Sequence, residues 1–220
     1  MKKHSIILFR EAFTMLELVF VIVVLGIIAS LAMPRFDRDL KQEAADTVLS
    51  DIRYTQNLAM KDFRQDFTDT KWQMSFWKIT FEKCSDNAIF IGIGSDKDYQ
   101  GDTDKDEAAI DPVNGLPMFW KNTDKCEDGG DSTVSDTIFL TRKFGVKSVS
   151  STGGCKDLKH IGFDHLGRPH VSFSGSNAPD YSSYMNTACT FTFKMSDDTT
   201  FAVTIEPETG YAYIVDQNAS

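Results

Sequence analysis

An α+β fold is predicted: a long N-terminal helix, with a transmembrane first half, packed on an antiparallel β head. Three observations predict it. Residues 13–33 form an apolar run whose only charge is Glu17. Apolar residues then recur at helical spacing to about Phe63. Beyond Asp69, short runs alternate in period two between clusters of turn residues. The 220 residues, 41% of them apolar, suit one anchored segment and one head. The head, of roughly 150 residues, is large enough for a single core.

The first element is the helix from Phe13 to about Phe63. Residues 13–33 would rise about 32 Å, enough to cross a hydrocarbon core. Lys2, Lys3 and Arg10 precede the run, so the positive-inside rule keeps its start in the cytoplasm and exports the rest. A cleaved secretory signal fits less well. Its apolar core would be shorter and its small residues would follow that core, whereas Ala12 precedes the run; Ala29-Ser30-Leu31-Ala32 mimics a late cleavage site, but the run before it is long for a signal core. Pro34 is expected to loosen or kink the helix. Beyond it, Phe36, Leu40, Ala44, Ala45, Val48, Ile52 and Ala59 mark one apolar face.

Glu17 needs a reason. A carboxylate in such a helix costs on the order of 3 kcal/mol on insertion scales. Residues of this kind usually have a partner and a function. No Lys or Arg lies within one helical turn of it. A cut before Phe13 would create an α-amino group four residues away. Glu17 of one copy would then meet the Phe13 amine of the next, and the pair would set the axial register of stacked helices.

Strands are predicted in the head at Trp72–Glu82, Ala88–Ile93, Thr137–Arg142, Ile161–Asp164, His170–Ser174, Thr190–Met195, Phe201–Pro207 and Tyr211–Val215. Between them lie turn signals such as Gly153-Gly154, Leu166-Gly167-Arg168-Pro169 and Glu208-Thr209-Gly210. The four cysteines, Cys84, Cys126, Cys155 and Cys189, lack C-x-x-C spacing, and their even number favours two disulfides. Three pairings exist; Cys84–Cys126 and Cys155–Cys189 are favoured because each pair brackets one sub-region.

Net charge is −9, and the first twelve residues, holding Lys2, Lys3, Arg10 and Glu11, contribute +2 of it, so the rest carries −11. An acidic chain without a basic tail argues against nucleic-acid binding.

One acidic stretch has metal-ligand spacing. Counted from Asp96, oxygen-bearing Asp96, Asp98, Gln100, Asp102, Asp104 and Glu107 fall at positions 1, 3, 5, 7, 9 and 12, with Gly101 at position 6. That is EF-hand loop spacing, and Ca²⁺ is the cofactor it points to. Thr103 stands where an aliphatic residue is usual, and the flanks do not read as helices. The plainer reading is a solvated acidic loop. His160, Asp164, His165 and His170 also gather in sequence, but a hairpin with Asp164 at its turn explains them without a metal. Ser174-Gly175-Ser176 lacks a nucleophile-elbow context. Trp72, Trp77 and Trp120 read as core or interface anchors.

Residues 12–28, Ala-Phe-Thr-Met-Leu-Glu-Leu and the apolar run after them, resemble the N-terminal motif of type IV pilins and pseudopilins. The resemblance implies a pilin-like fold, cleavage by a prepilin peptidase between Ala12 and Phe13, N-methylation of Phe13, and an assembly role for Glu17. Gly26 and Pro34 fall where the family tends to place a glycine and a proline. Ala12 departs from the usual glycine before the cut. Ile161-Gly162-Phe163-Asp164-His165-Leu166-Gly167-Arg168-Pro169 and Thr204-Ile205-Glu206-Pro207-Glu208-Thr209-Gly210-Tyr211 resemble strand–turn signatures of H-type pseudopilins and FimT-like minor pilins.

On this basis residues 1–12 are a leader, 13–33 the transmembrane helix, 34–68 its periplasmic half and 69–220 the head, with 94–130 an insertion. The implied function is that of a minor pseudopilin, not an enzyme, in the pseudopilus of a type II protein secretion system. The alternative is a minor pilin of a type IV pilus or DNA-uptake machine, a reading lowered by the absence of Lys and Arg from residues 214–220. Implied partners are other pilins or pseudopilins, the prepilin peptidase and an inner-membrane assembly platform. The implied location is the inner membrane, single-pass, with the head in the periplasm.

Overall fold

The computed structural model describes residues 14–126, 132–173 and 178–216, with the backbone alone over 31–39. The chain divides into two compact units, Met1–Asp39 and Leu40–Ser220. Helix α1 runs from Met15 to Lys61. At its start the Thr14 hydroxyl accepts the Glu17 N–H at 3.2 Å, satisfying one of the free donors of the first turn. Glu17 itself lies in that turn, where the helix dipole favours a carboxylate.

The structure corrects the expected membrane-spanning first half. Among the described residues no helix is long and apolar enough to cross a membrane. The apolar part of α1 whose side chains are described, residues 15–30, rises about 24 Å, short of a hydrocarbon core of roughly 30 Å. The expected single-pass inner-membrane location falls with it. What the structure shows is an α+β chain with two antiparallel sheets.

In the second unit, α1 from Leu40 onward buries Ala44, Ala45, Val48, Ile52 and Ala59, a stripe at spacings of one, three, four and seven. The first sheet contains β1 (Trp77–Lys83), β2 (Ile89–Gly94), β4 (His160–Phe163) and the two-residue β5 (Pro169–His170), in the order β2-β1-β4-β5. The second contains β3 (Val146–Gly153), β6 (Cys189–Met195), β7 (Thr200–Ile205) and β8 (Ala212–Ile214), in the order β3-β6-β7-β8. The strands of both sheets pair antiparallel. Phe81 of β1 lies 4.8 Å from the Phe191 ring and 5.3 Å from the Phe193 ring, so aromatic contacts join the two sheets through one core.

Several elements differ from the sequence expectation. Residues Trp72–Ser75 form a 3₁₀ turn ahead of β1, all four buried, so period-two alternation fails there. The Ser75 hydroxyl closes that turn by donating to the Trp72 carbonyl at 2.7 Å. The apolar run at 137–142 is not a strand. Asp136–Ile138 is a 3₁₀ turn capped by the Ser135 side chain, and α2 (Leu140–Phe144) follows, ending on left-handed Gly145 at φ 76°. Strand β3 was not expected, because its serines and threonines lack apolar alternation. It is an edge strand that needs only one partner, β6. The expected strand at 170–174 shrinks to Pro169–His170.

Disulfides join Cys84 to Cys126 and Cys155 to Cys189, and the described residues hold no free cysteine. The first fastens the residue after β1 to the long β2–α2 connection. The second fastens the turn after β3 to the start of β6.

Candidate functional site

Three regions carry chemistry, and the second and third share residues 101–104. The first is the start of α1. Ala12 and Phe13 lie outside the described residues. Glu17 is exposed. Around it Met15, Leu16, Leu18, Phe20, Ile22 and Leu25 are all more than half exposed. Large apolar side chains cover every side of this helix, and Glu17 is its one charge among residues 14–30.

The second region is the acidic loop after β2. It is folded around two carboxylates. Asp96 accepts the N–H groups of Gln100 at 3.2 Å and Gly101 at 2.8 Å. Glu107 reaches back to accept those of Lys97 at 2.6 Å, Asp98 at 3.1 Å and Asp104 at 3.1 Å. Gly101 at φ 99° allows the chain to reverse between them. Of the six spaced residues, three carboxylates gather: oxygen atoms of Asp96, Asp98 and Glu107 lie within 4.8 Å of one another. Asp102 and Asp104 line a neighbouring cavity instead.

Three carboxylates suit a hard cation in charge and atom type. Backbone donors already hold Asp96 and Glu107, and the loop closes through them without help from an ion. Burial pushes the Asp96 carboxyl above its ordinary value, against the Gly101 N–H and Lys78, which pull it down. The second gathered group, Cys84, Asp86 and Cys126, has its sulfurs tied in the disulfide.

The histidines do not converge. His165 packs edge-on against Phe63, with ring centroids 4.6 Å apart. His160 sits at the cavity described below. Only His170 meets Asp164: its Nε2 lies 3.5 Å from Asp164 Oδ2, and its Nδ1 lies 2.8 Å from the Ser183 hydroxyl. Asp164 also accepts from Leu166 N at 2.9 Å, Arg168 N at 2.9 Å and Arg168 Nε at 2.7 Å. This is a buried turn lock. Neither group of metal-ligating side chains found among the described residues contains a histidine. Ser174, Gly175 and Ser176 lie outside the described residues. Trp72 and Trp77 are core residues, and Trp77 Nε1 donates to Asp62 at 3.0 Å.

The third region was not anticipated. A cavity of about 340 Å³ lies across the outer face of the first sheet. Pairing register builds its floor: Lys78 stands opposite Gly94, Thr80 opposite Gly92 and His160, and Glu82 opposite Phe90. The alternate residues Ile79 and Phe81 point to the core. Residues 101–104 and 118–123 wall the cavity. The glycines keep the face open: a Cβ on Gly94 would fall 2.1 Å from Thr103 Cγ2, and one on Gly92 would fall 2.7 Å from Thr80 Oγ1. Lys78 is buried, with Nζ 3.3 Å from the Gly101 carbonyl. Burial pushes its ammonium below the ordinary value, while Asp96, Asp102, Glu107 and Glu82 pull it back up. His160 is held down by burial and by Lys78. The sequence signal was available: Lys78-x-Thr80-x-Glu82 beside Gly92-x-Gly94. It gained meaning only through strand register.

No protein-family model, curated protein or solved structure matches the chain.

Proposed function

We infer that this chain is a pilin-like filament subunit, a minor pseudopilin of a type II secretion system. Its apolar N-terminal helix is the assembly element, and its head supplies outward contacts. The observation that supports the reading most is the exposed, all-round apolar start of α1 bearing the single carboxylate Glu17. A helix apolar on every side requires cover, and helices of the same kind supply it in the core of a filament. Cleavage between Ala12 and Phe13 creates the amine that pairs with Glu17 of a neighbouring subunit. Each added subunit is thereby held at a fixed axial step.

The experiment compares wild type with Glu17→Ala in cells carrying the assembly machinery. Mass spectrometry of the purified chain is expected to show a mature N-terminus at methylated Phe13 for both. Glu17→Ala is expected to be processed normally and to be lost from isolated filaments. Normal incorporation of that variant refutes the register role, and an uncut chain refutes the family reading.

A further inference from the structure

We propose that the cavity across the outer face of the first sheet binds a neutral polyhydroxylated ligand, one or two sugar rings in size. Its volume of about 340 Å³ is at the lower end of the range of small-molecule sites. Charge selects the class. Two cationic side chains, the buried Lys78 on the floor and Lys121 in the wall, repel a cation, and three carboxylates, Glu82, Asp102 and Asp104, repel an anion. A ligand without net charge meets neither penalty and uses both signs as hydrogen-bonding groups.

The floor and rim are rich in such groups with capacity to spare. The ammonium has three donors, and Gly101 takes one. The Thr80 hydroxyl donates to the Gly92 carbonyl at 3.3 Å and keeps its lone pairs. Glu82 accepts from Asn122 Nδ2 at 3.3 Å, which leaves acceptor positions on the carboxylate and a second amide hydrogen on Asn122. The half-buried Trp120 adds apolar surface of the kind that covers the C–H side of a sugar ring.

Calorimetric titration of the full-length chain tests this, with glucose, cellobiose and N,N′-diacetylchitobiose as free sugars and glycol chitin as a polymer. Saturable heat is expected for at least one probe, with Kd between about 10 μM and 1 mM. Tighter binding of a disaccharide identifies a free sugar as the source, and tighter binding of glycol chitin identifies a glycan chain. Asn122→Ala, on the exposed rim, and Thr80→Val are expected to weaken binding about tenfold or more while melting as wild type does. Three results overturn the proposal: no heat with any of the four probes, equal binding by both variants and wild type, or tighter binding of citrate or spermidine than of every sugar. Filament assembly enters none of these measurements, so the outcome is independent of the function inferred above.

Discussion

Gln56 Nε2 lies 2.8 Å from the Gly167 carbonyl oxygen, a contact between α1 and a turn 111 residues further along the chain. The same amide nitrogen donates to the Thr209 carbonyl at 2.9 Å. One glutamine thus ties the β4–β5 turn to the β7–β8 turn, the two turn signatures noted in the sequence. Gln56→Ala is expected to cost about 1–3 kcal/mol, because a buried carbonyl at Gly167 loses its donor. Gln56→Glu keeps the shape, sets a carboxylate against two carbonyls and should cost more. Thermal denaturation of both variants checks the order; a Glu variant as stable as wild type would falsify the clamp.

Asp164 anchors the first of those turns. Burial pushes its carboxyl up, but the His170 and Arg168 side chains and the N–H groups of Arg168 and Leu166 outweigh that and hold it well below the usual carboxylate range. A depressed folded-state pKa gives stability that is present above the unfolded value of about 3.9 and lost as pH falls through the folded value. Asp164→Asn is expected to lose about 1–3 kcal/mol at neutral pH. Its deficit against wild type should shrink progressively in acid. A deficit that stays constant down to strongly acid pH contradicts this account.

Asp51 behaves in the opposite sense. Its Oδ2 is buried without a hydrogen-bond partner among the described residues. Burial first, and Asp111 second, raise its carboxyl to about 7, against the pull of Lys143. A raised folded-state pKa favours the protonated form. The associated stability is full below about pH 4 and is lost as pH rises through about 7. Asp51→Asn removes the buried charge, so at pH 8 its melting midpoint should exceed that of wild type by about 2–4 °C for each kcal/mol regained. Near pH 4 the two proteins should melt together. Melting curves at both pH values decide it, and a variant less stable at pH 8 rules the assignment out.

The disulfides close long loops, with sequence separations of 42 for Cys84–Cys126 and 34 for Cys155–Cys189. Chain-entropy reasoning assigns each about 4 kcal/mol of stabilisation through the unfolded state. Replacing both cysteines of either pair by serine should therefore lower stability by several kcal/mol, as read in denaturant titrations. Because all four sulfurs belong to buried residues, reductant should act slowly on the folded protein and quickly once denaturant is added. Immediate reduction under native conditions counts against the buried placement.

The sequence by itself determined the elements with a clear local signal. The helical stripe from Ala44 to Ala59, the alternation of β1, β6 and β7, and the turn glycines at 167 and 210 each depend on neighbours a few residues away, so periodicity and turn chemistry report them directly. The length and charge of the N-terminal run were equally legible, though its reading as a membrane span did not hold among the described residues. Tertiary structure alone decided the rest. The polar edge strand β3 exists because β6 pairs with it. Only strand register set Lys78, Thr80 and Glu82 across from two glycines and opened a cavity there. Register and long-range hydrogen bonds join residues distant in the chain, and no local pattern encodes which partner a strand or side chain will meet.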